Sequence, residues 1–283
     1  MIDLALVWVG IIGLGVLIYV VMDGFDLGIG ILFPFMNGTQ ERDVMMNTVA
    51  PVWDGNETWM VLGGAGLFAA FPLVYSTVLS ALYLPIIFMV VALIFRGVAF
   101  EFRFKATRTK YLWDLAFIWG SILSSFFQGV ILGAYIQGIQ TTNGIYSGGG
   151  WDWFTPFTCF TGLGVVVMYA TLGCGWLIKK KEKEIQQRMF HLMPRLIIAL
   201  LIIFGAVSLY TPLTHPEIAQ RWFSLPNVYY FSPVPILVLL FVGLILSACK
   251  KQHELKPFIY TLALVFLAFF GFFISFWSIF IPY

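Results

Sequence analysis

Apolar residues dominate the chain in long blocks, and polar residues gather in the short stretches between them. Blocks of about 20 apolar residues are long enough to cross a bilayer as helices. Residues 58–95 and 115–151 contain no Asp, Glu, Lys or Arg at all. The pattern predicts eight transmembrane helices, near 4–33, 57–71, 74–95, 115–137, 154–178, 196–210, 230–248 and 257–280. The second is short. Phe71-Pro72 marks the turn after it, because proline disfavours helix in the residue that precedes it. The fold class is therefore all-α and polytopic, a single membrane domain over 1–283. Faint similarity between residues 15–28 and 164–175 points to two four-helix halves, 1–137 and 154–283, with the polar motifs in the first.

Composition agrees with this reading. Of 283 residues, 60% are hydrophobic and 11% charged, against about 25% charged in a soluble domain; mean hydropathy is +0.91. A net charge of +2 and the lack of a basic face argue against a nucleic-acid partner. Cys159, Cys174 and Cys249 stand singly in or beside apolar segments, as free thiols would. Met1-Ile2-Asp3 has no basic region, so the first apolar segment reads as a retained helix and not a cleaved signal.

Fifteen of the 16 Lys and Arg residues fall in alternate connections: Arg42 in the first, 96–110 in the second, 179–195 in the third and 250–256 in the fourth. Only Arg221 lies on the other side. The positive-inside rule places those four connections in the cytoplasm and both termini outside.

That orientation gathers Asp23, Asp26, Asp54, Glu57, Glu101 and Asp114 at the cytoplasmic ends of the first four helices. Asp23 and Asp26 share one helix face, and two like charges in low dielectric favour holding a proton. Alternatively the first helix simply ends in water there, since residues 4–22 already span about 28 Å; the apolar run 27–35 speaks against that. Asp54 and Glu57 have the spacing of an N-capping box, a role compatible with proton entry. Arg96 lies deepest of the basic residues and is placed to pair with the Asp23/Asp26 cluster. Glu101 and Arg103 close the third helix, and Asp114 opens the fourth, where it could serve as a cap.

His191, His215 and His253 all fall outside the predicted spans, so no mid-membrane histidine offers itself to haem or copper. Gly24/Gly28 and Gly129/Gly133 have the spacing of close helix contact.

These residues form an ordered set. Asp23-Gly24-Phe25-Asp26-Leu27-Gly28 is followed by the motif at 47–59 ending Trp53-Asp54-Gly55-Asn56-Glu57-Thr58-Trp59, then Gly63-Gly64-Ala65-Gly66-Leu67-Phe68 and Phe95-Arg96-Gly97-Val98-Ala99-Phe100-Glu101-Phe102-Arg103. The set resembles subunit II of the cytochrome bd-type quinol oxidases, which include the cyanide-insensitive oxidases. The likeness is dense up to about residue 114 and beyond it rests on helix spacing and loop polarity. It implies a haem-free subunit, without a cofactor of its own, of a terminal oxidase in the bacterial inner membrane. That oxidase takes electrons from quinol and reduces dioxygen to water, with haems b and d in subunit I. The implied partners are subunit I, membrane lipid and quinone, and small accessory subunits. By motif match, Asp23, Asp26 and Asp54 belong to a cytoplasmic proton pathway, with Glu57, Arg96, Glu101 and Asp114 as further candidates. The resemblance implies a ninth helix, which is expected to be absent here because the chain stops at Ile281-Pro282-Tyr283. Without the resemblance, a proton-coupled transporter or a purely structural membrane subunit would remain open.

Overall fold

A computed structural model of the chain describes residues 4–180 and 182–275. Helices α1 (Leu4–Leu32), α2 (Thr39–Asn47), α3 (Trp53–Ala70), α4 (Pro72–Arg103), α5 (Lys110–Gln137) and α6 (Pro156–Lys180) are followed by α7 (Lys183–Thr214), α8 (Pro216–Phe223), α9 (Asn227–Phe231), α10 (Pro233–Lys250) and α11 (Lys256–Ser275). Seven of the described segments are long and apolar enough to cross a membrane; α3 is not among them. Helices satisfy every backbone group within one segment, which is what a bilayer interior demands.

Boundaries differ from expectation where polar residues continue a helix. α4 runs eight residues past 95, which carries Arg96 and Arg103 inside it. α7 begins at Lys183, not near 196: its Lys, Glu, Gln and Arg residues are good helix formers wherever they sit. The short helices α2, α8 and α9 were not expected. Nor was a hairpin pairing β1 (Thr141–Thr142) with β2 (Ile145–Tyr146). Its turn is Asn143-Gly144, both at positive φ, the pair that a two-residue hairpin turn favours. The turn at Phe71-Pro72 stands as expected. The stretches 1–3 and 276–283, including the expected end of the last helix, lie outside the described residues.

Two compact units divide the chain, one up to Gly173 and one from Cys174. In the first, α4 and α5 pack along their lengths, and α1 packs against α3 and α5. α6 approaches α1 and α5 at glycines. A Cβ on Gly28 would lie 2.1 Å from the Tyr169 carbonyl oxygen, and one on Gly129 would lie 2.5 Å from that of Thr161. Both expected small-residue pairs therefore mark close helix contacts. In the second unit α10 packs against α7 and α11, and Met193 and Ile197 of α7, Ile245 of α10 and Leu264 of α11 are buried. Cys174 and Cys249 are buried there as free thiols, and Cys159 in the first unit is partly buried.

An ion network ties α2, α4 and α5 together at the basic end of the first unit. Fully buried Arg103 bonds Asp114 and Asp43, Arg42 donates to Asp114 at 2.8 Å, and Lys110 donates to Asp43 at 2.9 Å. The Arg103 guanidinium also lies over the Phe33 and Phe104 rings. Asp114 is thus not a cap: α5 starts one turn earlier, at Lys110, after an N-cap at Thr109 without a side-chain bond. Burial pushes the Asp43 carboxyl up, but hydrogen bonds from Lys110 and Arg103 outweigh it and hold the group below its ordinary range.

Two measurements test this packing. Gly28→Ala should cost roughly 1–3 kcal/mol by overpacking and lower the thermal midpoint in detergent. Gly64→Ala, where a Cβ meets nothing within 4 Å, should hold the midpoint or raise it, by up to about 1 kcal/mol of helix propensity; equal losses at the two sites would contradict the α1–α6 contact. Asp43 supplies stability that is complete above the unfolded carboxylate value of about 3.9 and is lost as pH falls through its lowered folded value. Asp43→Asn should therefore flatten the loss of stability below about pH 4, and unchanged acid slopes would mean that Asp43 is not held by its partners.

Candidate functional site

α1 continues as helix through Asp23 and Asp26 to Leu32, and every residue from Asp23 to Leu32 is buried. The reading of a helix that ends in water is thereby overturned, because both carboxyls are 0% exposed. Gly24, between them, lets Tyr169 and Leu172 of α6 press onto α1: a Cβ there would lie 2.8 Å from the Tyr169 ring. The carboxyls themselves turn towards α3 and α4.

Arg96 is their common partner. Its Nη1 donates to Asp23 Oδ1 at 2.7 Å and to Glu57 Oε1 at 2.8 Å, and its Nη2 lies 3.9 Å from Asp26 Oδ2. Asp26 Oδ2 also accepts from Asn56 Nδ2 at 2.7 Å. Arg96 can reach this far inward because Gly120 of α5 brings the two helices together; a Cβ on Gly120 would lie 2.9 Å from the Arg96 backbone nitrogen. On its other side α4 packs Phe100 against Trp53, with ring centroids 4.8 Å apart and nearly parallel. That stack sets the start of α3, one turn before Glu57.

Four expected residues thus meet at one point: Asp23, Asp26, Glu57 and Arg96. Asp23, Asp26 and Arg96 are fully buried, while the Glu57 side chain keeps 24% exposure, so Glu57 is where the cluster opens outward. Three others stand elsewhere. Asp54 is exposed in the first turn of α3. The capping box expected of Asp54 and Glu57 does not form, since the N-cap is Val52 with no side-chain bond and Glu57 turns to Arg96. Glu101 is exposed and lies 3.5 Å from Lys105. Asp114 belongs to the Arg103 network.

Sequence reasoning missed four polar residues around the cluster. Asn56, beside Glu57, is 5% exposed. Tyr19 lies one turn before Asp23; its hydroxyl accepts from Gln128 Nε2 at 2.8 Å, and Gln128 Oε1 accepts from the Tyr169 hydroxyl at 2.7 Å. The available signal was Gln128 itself, an amide inside a run without charges. Among the described residues no group of three or more His, Cys, Asp and Glu could hold a metal ion.

Chemically, the arrangement is three carboxyls sharing one guanidinium, closed to solvent except at Glu57. Such a site can take up, hold and release protons; it contains no nucleophile–base pair. The chain is 33% identical to the cytochrome bd-I ubiquinol oxidase subunit 2 of Escherichia coli strain K12 over 193 residues, which is 65% of this chain and 51% of that protein. It is 31% identical to the cytochrome bd ubiquinol oxidase subunit 2 of Bacillus subtilis over 197 residues, 67% of this chain and 58% of that one. The chain therefore spans about half the length of the curated relatives it matches. Its fold is similar to a chain of the bd oxidase from Geobacillus thermodenitrificans, with a TM-score of 0.76 at 17% identity, covering 97% of this chain and 84% of that one. The sequence profile described as cytochrome bd terminal oxidase subunit II matches residues 4–283, and the chain belongs to that family.

Proposed function

We propose that this chain is the haem-free subunit II of a bd-type oxidase, and that it supports proton uptake from the cytoplasm while a haem-bearing subunit I oxidises quinol and reduces dioxygen to water. The observation that carries the proton role is the buried cluster of Asp23, Asp26, Glu57 and Arg96. An ionisable residue at membrane depth is costly and is kept for charge or proton handling. Three carboxyls against one guanidinium leave an excess of acid, which a low-dielectric site balances with protons.

In this reading the basic end of the helices faces the cytoplasm of a bacterial inner membrane, and both termini lie outside. The chain forms one membrane domain, with α3 as a short eighth crossing and two four-helix halves. Asp54 and Glu101, exposed at the same end, collect protons at the surface, and Glu57 admits them. Arg96 fixes Asp23 and Asp26 so that protons pass among carboxyls held in place. The Arg103–Asp114 network braces the entrance. The redox chemistry belongs to the haems of the partner, and quinol is the substrate of the complex.

Tagging the chain in its own host, extracting the membranes gently and recording haem spectra with quinol-driven oxygen uptake tests the assignment. Haem b and d signals with uptake are expected; a colourless preparation without a partner would refute it. In the assembled complex, Asp23→Asn, Asp26→Asn and Glu57→Gln should each lower uptake at least about tenfold, since a positioned proton carrier contributes roughly 10²–10⁴-fold. Asp54→Asn and Glu101→Gln should lower it less than about threefold, since surface acids substitute for one another. Failed assembly in the first three variants would instead make the cluster a scaffold.

A further inference from the structure

We propose that Tyr19, Gln128 and Tyr169 form a positioning chain that holds Asp23, and that proton movement through this subunit ends at the Gln128 amide. The inference rests on the proton-uptake reading above and adds where the route stops and what fixes its innermost carboxyl.

The three side chains cross the first unit from α1 through α5 to α6. The Tyr169 hydroxyl donates to Gln128 Oε1 at 2.7 Å, and Gln128 Nε2 donates to the Tyr19 hydroxyl at 2.8 Å. Both tyrosines are closed to solvent, at 1% and 5% exposure. With its oxygen already accepting from Gln128, Tyr19 keeps its one hydrogen to donate, and one turn along α1 the Asp23 Oδ2 atom is buried without a hydrogen-bond partner. The donors therefore run in one direction, from Tyr169 through Gln128 to Tyr19, which leaves the Tyr19 hydrogen for the unpartnered Asp23 oxygen. The packing that holds this order is close: the Tyr169 ring sits where a Cβ on Gly24 would fall, so α6 cannot move without displacing the residue next to Asp23.

A run of hydroxyls and carboxyls can hand protons along, because each oxygen both accepts and donates. A carboxamide cannot. Its NH₂ only donates and its carbonyl only accepts, and exchanging those roles would require a tautomer or an ion far from neutral conditions. The block holds for either orientation of the amide, so it does not depend on which atom is nitrogen. A chain that looks like an extension of the acid cluster into the bundle thus acts as its insulated end. The titratable and charged groups around Asp23 are Tyr19 and Asp26 on α1, Glu57 on α3, Arg96 on α4 and Tyr169 on α6; α5 contributes the uncharged Gln128. Of these, Tyr169 alone is linked to Asp23 through Gln128.

Two readouts test the proposal. The first uses the full chain in lipid nanodiscs and does not depend on oxidase activity: infrared difference spectra against pH, with Asp23→Asn identifying the Asp23 carboxyl band. Tyr19→Phe and Gln128→Leu should both shift the frequency of that band, because a carboxyl that loses a donor changes the strength of its C–O bonds. An Asp23 band that does not move in Tyr19→Phe or Gln128→Leu would reduce the chain to packing and overturn the positioning role. The second is quinol-driven oxygen uptake by the complex with normal haem content. Tyr169→Phe should cost some uptake through the positioning of Asp23, but far less than Asp23→Asn, which loses at least about tenfold. A loss in Tyr169→Phe as deep as in Asp23→Asn would make the chain a conduit and overturn the insulating role. Absence of uptake in the parent complex would fail the oxidase reading alone, and the infrared result would still decide the position of Asp23.

Discussion

Arg96 is a fully buried cation deep in a bundle of apolar helices, and the first unit is arranged around the need to satisfy it. A lone guanidinium at that depth would be prohibitively costly, since the desolvation of a charge is repaid only by partners in good geometry. Asp23 and Glu57 provide those partners at 2.7 and 2.8 Å, from two other helices. α1, α3 and α4 must therefore keep a fixed relation at this level, and the same constraint holds three carboxyls within reach of one another. Structural demand and proton chemistry share one set of atoms, so a change that loosens the pairing alters both.

Close backbone approach makes the geometry attainable. Gly120 lets α5 meet α4 at Arg96, Gly24 and Gly28 let α6 settle on α1, and Gly129 and Gly133 do the same for α6 on α5. Between membrane helices the apolar driving force is weak, and tight packing of small residues with buried polar contacts replaces it. Glycine contacts and polar contacts fall at the same levels of the bundle. Tyr169 shows the coupling directly, since its ring packs on Gly24 while its hydroxyl begins the chain that leads through Gln128 to Tyr19.

Much of this was legible in the sequence. Hydropathy and proline placed the long helices in order, and the spacing of Gly24/Gly28 and Gly129/Gly133 marked real contacts. The pairing of Arg96 with the aspartates followed from its depth. Other features depended on rotation and on contacts distant in sequence. Asp54 and Glu57 lie three residues apart, yet one faces out and the other meets Arg96, because the Trp53–Phe100 stack sets how α3 begins. Asp114 read as a cap since its partners, Arg103 and Arg42, are 11 and 72 residues away. Tyr19, Gln128 and Tyr169 look like ordinary residues of apolar helices until three helices bring them together.

The measurement closest to the central claim is a pH titration of buried carboxyl bands, by infrared difference spectroscopy, on the complex purified through this chain. The account predicts a titrating band that is lost or displaced by Asp23→Asn, Asp26→Asn or Glu57→Gln, and that is displaced together with the others when Arg96 is replaced by Gln, because the four side chains act as one site. A titration untouched by any of these changes would contradict it, and would leave the cluster as a brace between helices.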